Sequence, residues 1–315
     1  MSRRGSIHAS ILDRIGGTPL IALRKLVPAN GARILLKLES ENPTGSMKDR
    51  MALAMIEAAE EDGRLKPGGS VVEYTGGSTG VSLSLICAVK GYPLDIVTSD
   101  AFSAEKRNHT KALGASLTLI KSVGGGMDAA LTRNMIEAAR QIQERKGSFW
   151  TDQLKNTDQL AAYTKMADEI WEQTGGMVDA FVQSVGTAAS VRGTGERLRE
   201  KKPGVRIVAV EPAESAVLSG GKTGSHKIEG IGAGFVVPLW KAESIDEIAQ
   251  VSTGEAMAMA RRLAREEGLF AGTSTGANLV AAFKVAARLG AGATVVSVLC
   301  DTGIKYLSTD LYRDA

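Results

Sequence analysis

Short apolar segments alternate with longer segments of helical periodicity along most of this 315-residue chain. The apolar segments are rich in β-branched residues and predict buried strands. They are SVVEY (70–74), DIVTS (95–99), SLTLI (116–120), AFVQSV (180–185), RIVAVE (206–211) and TVVSVLC (294–300). Helices are predicted between several of them, over 79–90, 104–113, 128–146 and 188–200. This alternation is typical of parallel sheets covered by helices on both faces, so we predict an α/β fold.

A further helix is predicted over residues 253–267. Within it Ala256, Met259 and Leu263 lie at helical spacing, and Gly268 follows as a stop signal. A chain of this length can bury a sizeable core and divide into two lobes. We predict the boundary between the lobes near RKGSFWTDQ, residues 145–153, where one series of strands and helices ends and another begins.

Composition excludes some classes of protein. Hydrophobic residues make up 43% and charged residues 23%, the formal net charge of +3 is dispersed, and the aromatic content is 4%. Because no basic run is interleaved with aromatic residues, no nucleic-acid surface is predicted. The N-terminal apolar stretch is broken by Asp13 and Arg14, so it is no signal segment. No segment approaches the length of a membrane span.

The cysteine and histidine residues indicate the redox compartment and exclude two kinds of catalytic site. Cys87 and Cys300 lie in apolar segments without metal-ligand spacing, which favours a reducing compartment, and we predict a cytoplasmic protein. The three histidines are scattered, so neither a metal site nor a Ser-His-Asp triad is predicted.

Three glycine- and hydroxyl-bearing turns follow predicted strands. They are TGGSTG (75–80), GTAAS (186–190) and DTG (301–303). Each is compatible with a tight turn that caps a helix. Backbone N–H groups at such a turn can also bind a carboxylate or phosphate, and the carboxyl ends of parallel strands gather around a ligand crevice. Neither a Walker lysine motif nor a G-x-G-x-x-G fingerprint is present, so nucleotide binding is the weaker interpretation.

A lysine upstream of these turns is the candidate reactive group. Lys48 lies in NPTGSMKDR, residues 42–50, between turn-forming residues and the start of a predicted helix. A lysine at such a junction is usually a solvated surface charge. Its combination with three anion-binding turns favours a site instead.

These segments resemble the cysteine synthase (O-acetylserine sulfhydrylase) and cystathionine β-synthase family of fold-type II pyridoxal-phosphate enzymes. The similarity extends from IGGTPL (15–20) to YLST (306–309), and NPTGSMKDR and SAVLSGGKTGSHKIEGIGAGF (215–235) are specific motifs. The resemblance implies two doubly wound parallel-sheet domains of the tryptophan synthase β type. A smaller, mobile α/β domain is expected over 46–150, and a larger one over 1–45 and 151–315, with the cofactor at their interface.

The resemblance also implies how pyridoxal 5′-phosphate is held. Lys48 is similar to the lysine that forms a Schiff base with the cofactor. Thr302 matches the family's serine that hydrogen-bonds the pyridine nitrogen. The turn at 186–190 resembles the family's phosphate-binding G-T-G-G-T, so the expected phosphate-binding residues are Gly186, Thr187, Ala188, Ala189 and Ser190. The two alanines narrow the backbone conformations allowed but leave the N–H donors in place.

The substrate site is implied in the same way. The turn at 75–80 looks like the family's T-S-G-N-T-G loop, which makes Thr75, Gly76, Gly77, Ser78 and Thr79 the expected carboxylate-binding residues. Gly76 replaces a serine. Ser78 replaces an asparagine that touches the cofactor's 3′-oxygen, and a serine reaches less far. Two residues outside this turn complete the set, Gln153 from TDQLKN and Gly232 from the segment 215–235.

The activity implied is β-replacement on O-acetyl-L-serine by sulfide, giving L-cysteine and acetate. The predicted partners are thus a small amino acid and a small nucleophile, and a homodimer is expected from the family. Two alternatives keep the cofactor: replacement by another nucleophile, such as an amine that gives a diaminopropionate-type product, or β-elimination by a lyase. A cofactor-free α/β binding or scaffolding protein is the alternative from another class.

Overall fold

The computed structural model describes residues 7–29, 31–123 and 129–313. The strands are β1 Leu20–Ala22, β2 Arg33–Leu38, β3 Val71–Tyr74, β4 Leu94–Ser99, β5 Ser116–Ile120, β6 Phe149–Trp150, β7 Ala180–Ser184, β8 Arg206–Pro212, β9 Glu247–Val251 and β10 Thr294–Leu299. The α-helices are α1 Lys48–Glu61, α2 Ser78–Lys90, α3 Ala104–Ala112, α4 Ala129–Lys146, α5 Gln159–Thr174, α6 Ala189–Lys201, α7 Thr253–Arg262 and α8 Thr273–Leu289.

The strands form two sheets. One has six strands in the order β1-β2-β10-β7-β8-β9, and the other has four in the order β5-β4-β3-β6. All pairings are parallel except that of β1 with β2. The four-stranded sheet lies wholly between residues 71 and 150. The predicted α/β fold with two parallel sheets is confirmed, whereas the domain limits of 46–150 and the mobility of that domain stay predictions.

The predicted strands and helices are present, with local differences. The helix expected over 253–267 is α7 followed by a π-helical turn, Leu263–Glu267, and it ends at Gly268 with φ of 72°. Such a left-handed residue is a common helix terminator because glycine adopts it without a Cβ clash. Helix α4 matches the prediction for 128–146 from residue 129 onward, and residue 128 lies outside the described part of the chain.

Helix α1 connects the two sheet systems. Its Met51 and Met55 pack in the core of the six-stranded sheet, while Ala52 and Ile56 pack in the core of the four-stranded sheet. A helix that is apolar around most of its circumference is held by packing on several sides. Lys48, the first residue of α1, is therefore placed at the junction between the two layers.

A buried ion-pair network fixes this helix further. Arg50 of α1 binds Glu39 and Glu169, with a nitrogen-to-oxygen distance of 2.7 Å to each. Lys37 of β2 also binds Glu169, at 2.6 Å. Since the guanidinium and both carboxylates are paired, the network ties β2, α1 and α5 together without leaving an isolated buried charge.

Candidate functional site

A cavity of about 590 Å³ opens where the carboxyl ends of β3, β7 and β10 meet. Its volume falls within the range of about 300–1,000 Å³ typical of small-molecule sites. Ten of the predicted site residues line it: Lys48, Thr75, Gly76, Gly77, Ser78, Thr79, Gln153, Gly186, Thr187 and Gly232. Residues far apart in sequence thus meet at one crevice, as expected for an α/β sheet.

Lys48 supplies the amine of the cavity. Burial lowers the pKa of this amine below its usual value, although Cys300 and Asp301 partly oppose the effect. Cys300 and Asp301 also line the cavity. Because burial favours the neutral form of the amine, Lys48 is better suited to act as a nucleophile or a base than an exposed lysine.

The turn at 75–79 is shaped by its two glycines. A Cβ on Gly76 would lie 2.7 Å from the Phe102 ring, and a Cβ on Gly77 would lie 2.3 Å from Cδ of Lys106. Gly77 also has φ of 139°, which side chains other than glycine rarely adopt. The N-terminus of α2 follows directly at Ser78. Its unpaired N–H groups and helix dipole make the turn a site for a carboxylate.

Ser78 has a different partner from the one expected. Its hydroxyl donates to Asp301 Oδ2 at 3.0 Å, and the Tyr306 hydroxyl donates to the same oxygen at 2.8 Å. Asp301 is 4% exposed and lines the cavity. The serine that replaces the family's asparagine is thus bound to an aspartate on the opposite wall.

Gln153 is held rigidly at the edge of the turn. Its amide nitrogen donates to the Tyr74 carbonyl at 2.6 Å, and its amide oxygen accepts from the Thr79 hydroxyl at 2.8 Å. Its backbone N–H donates to Glu73, whose pKa is raised by burial to about 7. The structure therefore places Gln153 in the lining with both ends of its amide already engaged.

The turn at 186–190 precedes helix α6. Gly186 and Thr187 line the cavity, whereas Ala188, Ala189 and Ser190 lie outside its lining. A Cβ on Gly186 would lie 2.5 Å from the Gly230 carbonyl oxygen, and Ala188 has φ of 70°. A non-glycine residue in this left-handed region is strained, and such strain is tolerated where the surroundings hold it. Ala188, Ala189 and Ser190 can offer their backbone N–H groups, at the N-terminus of α6, to a bound phosphate, whereas their side chains lie outside the cavity lining.

Thr302 is not where the sequence prediction put it. Its methyl group packs toward Gly45, its hydroxyl accepts from the Ile304 N–H at 3.3 Å, and it is absent from the cavity lining. This placement does not support the prediction that Thr302 faces the cofactor ring. Ser274, near the N-terminus of α8, lies in the lining instead and is 5% exposed.

The sequence carried a signal for Ser274 that was missed. AGTSTG, residues 271–276, has the same combination of glycine and hydroxyl residues before a helix as the three turns that were selected. It does not follow a long apolar strand, so it lacks the strand-to-helix pattern that the three predicted turns share.

Gly232 and its segment close another side of the cavity. Gly232 has φ of 65°, and a Cβ there would lie 2.7 Å from both His226 Nε2 and Pro212. In the same segment Glu229 binds Lys106, with 2.7 Å between Oε2 and Nζ. This ion pair joins the segment 215–235 to helix α3, so two walls of the cavity are in contact.

Lys305 is a buried cation beneath the cavity. It is 4% exposed, and its Nζ has no hydrogen-bond partner among the described residues. Burial lowers the pKa of its amine to about 8, against the attraction of Asp301 and Asp49. In the range between this value and the ordinary 10.5, the unfolded chain binds more protons, so this group makes stability rise with pH there.

We expect Lys305→Met to stabilise the protein at pH 7.5, where the charged form is penalised by about 3 kcal/mol. The gain should shrink as the pH approaches 10.5, because the lysine is then neutral in the folded state and increasingly neutral in the unfolded chain. Thermal unfolding of the variant and of wild type at pH 7.5 and pH 10 measures the difference in stability. Lys111→Met, at an exposed lysine, is the control. Equal destabilisation at both pH values would contradict the assignment.

Metal sites and membrane-spanning helices are both absent from the described ranges 7–29, 31–123 and 129–313. No group of three histidine, cysteine or acidic side chains there has the arrangement of a metal site. Among the helices within those ranges, none is both long and apolar enough to cross a membrane.

The chain is similar to known proteins in both sequence and structure. The model of the family described as pyridoxal-phosphate dependent enzyme matches residues 11–301. A cysteine synthase of Staphylococcus aureus strain Mu50 is 43% identical over 305 residues, which covers 96% of each chain. The crystal structure of cysteine synthase (OASS) from Entamoeba histolytica has a TM-score of 0.92 and 41% identity, covering 100% of this chain and 94% of that one. O-acetylserine dependent cystathionine beta-synthase from Helicobacter pylori has a TM-score of 0.88 and 34% identity, with 98% and 99% covered.

Proposed function

Because the chain belongs to the family of pyridoxal-phosphate-dependent enzymes, we propose that it is a cysteine synthase that converts O-acetyl-L-serine and sulfide to L-cysteine and acetate. The family, the fold type and the cofactor predicted from sequence are confirmed. The observation that carries the activity is the position of Lys48, which lies in one cavity with a carboxylate-binding turn and an anion-binding turn.

The residues present fit the cofactor. Lys48 offers a buried amine for its aldehyde, and the N-terminus of α6 behind Gly186 and Thr187 offers N–H groups for its phosphate. Ser184 lines the same part of the cavity, and its buried hydroxyl has no partner among the described residues. Ser274, which lines the cavity, would supply the neutral hydroxyl toward the cofactor ring that was predicted for Thr302.

When bound, pyridoxal phosphate supplies an electron sink that acidifies the Cα–H bond of an attached amino acid. The turn at 75–79 binds the substrate carboxylate, and Gln153 buttresses this turn through Thr79. The Lys48 amine then removes the Cα proton as a general base and later returns it. Acetate leaves with the electron pair of the Cβ–O bond, and sulfide forms the Cβ–S bond. A lysine amine made less basic by burial suits both proton transfers.

The charges of the cavity favour O-acetylserine over O-phosphoserine as the donor. A phosphate ester carries about two negative charges and requires unpaired cations. Lys106 is paired with Glu229 and Lys227 with Asp310, while Lys222 is exposed and is not part of the lining. The acetyl ester is neutral and makes no such demand.

A side-by-side assay of both donors with sulfide tests the proposal. We expect cysteine and acetate from O-acetylserine, with a kcat/KM at least about tenfold above that for O-phosphoserine. Pyruvate as the main product would indicate a lyase. Failure to form cysteine from either donor would overturn the proposed function.

A second experiment tests the reassignment of the ring contact. We expect Ser274→Ala to weaken cofactor retention and lower kcat by about tenfold, because a hydrogen bond of about 1 kcal/mol or more is lost. Thr302→Val, which removes only the hydroxyl outside the cavity, is the matched control and should leave the cofactor spectrum unchanged. If Thr302→Val weakens cofactor retention and lowers kcat while Ser274→Ala does not, the ring contact returns to Thr302.

We also propose a cytoplasmic homodimer. The two cysteines are buried free thiols, which fits a reducing compartment, and the family resemblance supports the dimer. Analytical ultracentrifugation of the holoenzyme distinguishes a dimer from a monomer.

A further inference from the structure

A buried acid lies behind the carboxylate-binding turn, outside the groups that the proposed reaction uses. Glu73, the penultimate residue of β3, is 0% exposed and does not line the cavity. The turn at 75–79 begins two residues further along the chain. Burial of a carboxylate is unfavourable unless hydrogen bonds compensate for the lost water. Such an acid is costly to keep, so its contacts indicate a role beyond packing.

Four hydrogen-bond donors converge on the two oxygens of Glu73. Oε1 accepts from the Tyr74 backbone N–H at 2.8 Å and from Trp150 Nε1 at 3.4 Å. Oε2 accepts from the Thr151 hydroxyl and from the Gln153 backbone N–H, the latter at 3.0 Å. A protonated carboxyl is itself a donor, so protonation must displace one of these groups or turn the Thr151 hydroxyl round. The arrangement of four donors therefore requires the carboxylate.

The two donors to Oε2 flank a strained residue. Asp152 lies between Thr151 and Gln153 and has φ of 42°, in the left-handed region that is uncommon for residues other than glycine. Such a conformation persists where the surrounding contacts hold it. Glu73 binds the residue on each side of Asp152, so the loss of either contact allows the segment to relax. The position of Gln153 thus depends on the charge of Glu73.

Gln153 transmits this position to the carboxylate-binding turn. Its amide oxygen accepts from the Thr79 hydroxyl at 2.8 Å. Its backbone carbonyl accepts from Gln159 Nε2 at 2.6 Å, and Gln159 Oε1 accepts from the Thr187 hydroxyl of the other anion-binding turn at 2.9 Å. Gln153 therefore lies between the two turns, and Glu73 is the acid that holds its backbone.

The charge of Glu73 changes near neutral pH. Burial raises the pKa of this carboxyl to about 7, although its hydrogen bonds oppose the effect. Asp152 raises this pKa further, and Asp152 is itself half-buried and paired with Lys155 at 3.3 Å. The Tyr74 phenol beside it stays neutral in this range, because burial raises its pKa as well. Glu73 is thus mainly ionised above about pH 7 and mainly protonated below it.

We propose that Glu73 is a positioning residue for substrate recognition: as a carboxylate it fixes Gln153, and through Thr79 it keeps the turn at 75–79 in the form that binds the substrate carboxylate. This inference rests on the proposed function. Because Glu73 lies outside the cavity lining, it acts on affinity for the donor rather than on the proton transfers of Lys48. Affinity for the donor should therefore rise with pH through the range in which Glu73 ionises.

Glu73→Gln keeps the shape of the side chain and removes its charge. We expect KM for O-acetylserine to be about tenfold above wild type at pH 8.5 and within about twofold of it at pH 5.5. Since Glu73 does not reach the reacting atoms, kcat should change by less than about threefold. The ratio of the two enzymes at each pH cancels the titrations that both share, those of sulfide, of the substrate and of Lys48.

Asp95→Asn is the matched control for this variant. Asp95 lies on the neighbouring strand β4 and pairs with Lys146 at 2.7 Å, so its replacement also removes an acid from the same sheet. It has no contact with the segment 150–153 in the hydrogen bonds that the structure describes. KM for O-acetylserine should equal that of wild type at both pH values.

Thr151→Val tests the assignment without replacing the acid. The Thr151 hydroxyl stabilises the ionised form of Glu73 and lowers its pKa, so its removal should raise that pKa. We expect the midpoint of the change in KM with pH to move up by about half a pH unit or more. A variant that merely loosened the segment would raise KM at every pH and leave this midpoint in place.

Gln153→Ala tests the route from the acid to the turn. This substitution removes the contact with Thr79 and should itself raise KM for O-acetylserine. In its background Glu73→Gln should change KM by less than about twofold, because the two residues act in one chain of contacts. Calorimetric binding of L-alanine, an amino acid without a leaving group, to the holoenzymes gives a readout independent of turnover. It should show the same pH-dependent difference between wild type and Glu73→Gln.

The outcomes separate the inference from the proposed function. If wild type forms cysteine but the KM ratio for Glu73→Gln is the same at pH 5.5 and pH 8.5, the inference is overturned and the proposed function stands. An undiminished effect of Glu73→Gln in the Gln153→Ala background, or an unmoved midpoint in Thr151→Val, also overturns the inference. If wild type forms no cysteine, the proposed function fails, and the binding of L-alanine alone then decides whether Glu73 positions the turn.

Discussion

Replacing Lys48 by alanine is expected to lower kcat more than about a thousandfold while the protein stays folded. Lys48 lies in the cavity lining at the first residue of α1, and the packing of that helix depends on Met51, Met55 and Arg50 rather than on the amine. The substitution removes both the nucleophile for the cofactor and the base for the Cα proton. The turn at 186–190 is independent of the amine, so the variant should still hold the cofactor without a covalent bond.

The measurement combines steady-state turnover with absorbance after borohydride reduction, denaturation and gel filtration, because only cofactor attached through a reduced C–N bond stays with the protein. The exposed Lys111→Ala is the matched control and should behave as wild type. Added methylamine should restore part of the activity, since a small free amine can enter the space left by the side chain. Turnover of Lys48→Ala within tenfold of wild type would remove Lys48 from the chemistry.

The second large effect is expected at Gly76. A serine Cβ there would lie within 2.9 Å of two atoms of the Phe102 ring, and Phe102 is 5% exposed with little room to move. Overpacking of this kind costs about 1–3 kcal/mol, and here it displaces the turn that binds the substrate carboxylate. We therefore expect Gly76→Ser to lower kcat/KM with O-acetylserine by about tenfold to a hundredfold.

The double variant Gly76→Ser with Phe102→Ala tests the cause. Removal of the ring should recover much of the loss if the clash is responsible, giving a coupling between the two positions. Gly204→Ser is the matched control, because a Cβ at Gly204 meets nothing within 4 Å and its backbone is not left-handed. Additive effects of the two substitutions would show that the serine hydroxyl, rather than the ring contact, perturbs the site.

The main outline of this fold and of its site was predictable from the pattern of residues along the chain. The alternation of apolar and helical segments predicted parallel sheets, because period-2 and period-3.6 patterns report which faces are buried. The lysine segment and two of the glycine turns identified the cavity, since glycine is required where backbone must approach closely, as at Gly77 and Gly186. These features are local, so they remain visible in the one-dimensional pattern.

Which side chains face the cavity depends on the packing of the helices and strands in three dimensions. Thr302 and Ser274 are both hydroxyl residues beside glycine, but packing against Gly45 directs one away while the start of α8 brings the other in. Ser78 finds its partner in Asp301, more than two hundred residues away. Likewise the cavity wall that contains Tyr74, Phe102 and Met135 requires β3, α4 and the loop at 101–103 to converge. Side-chain direction and long-range proximity depend on how elements pack, and no local pattern encodes them.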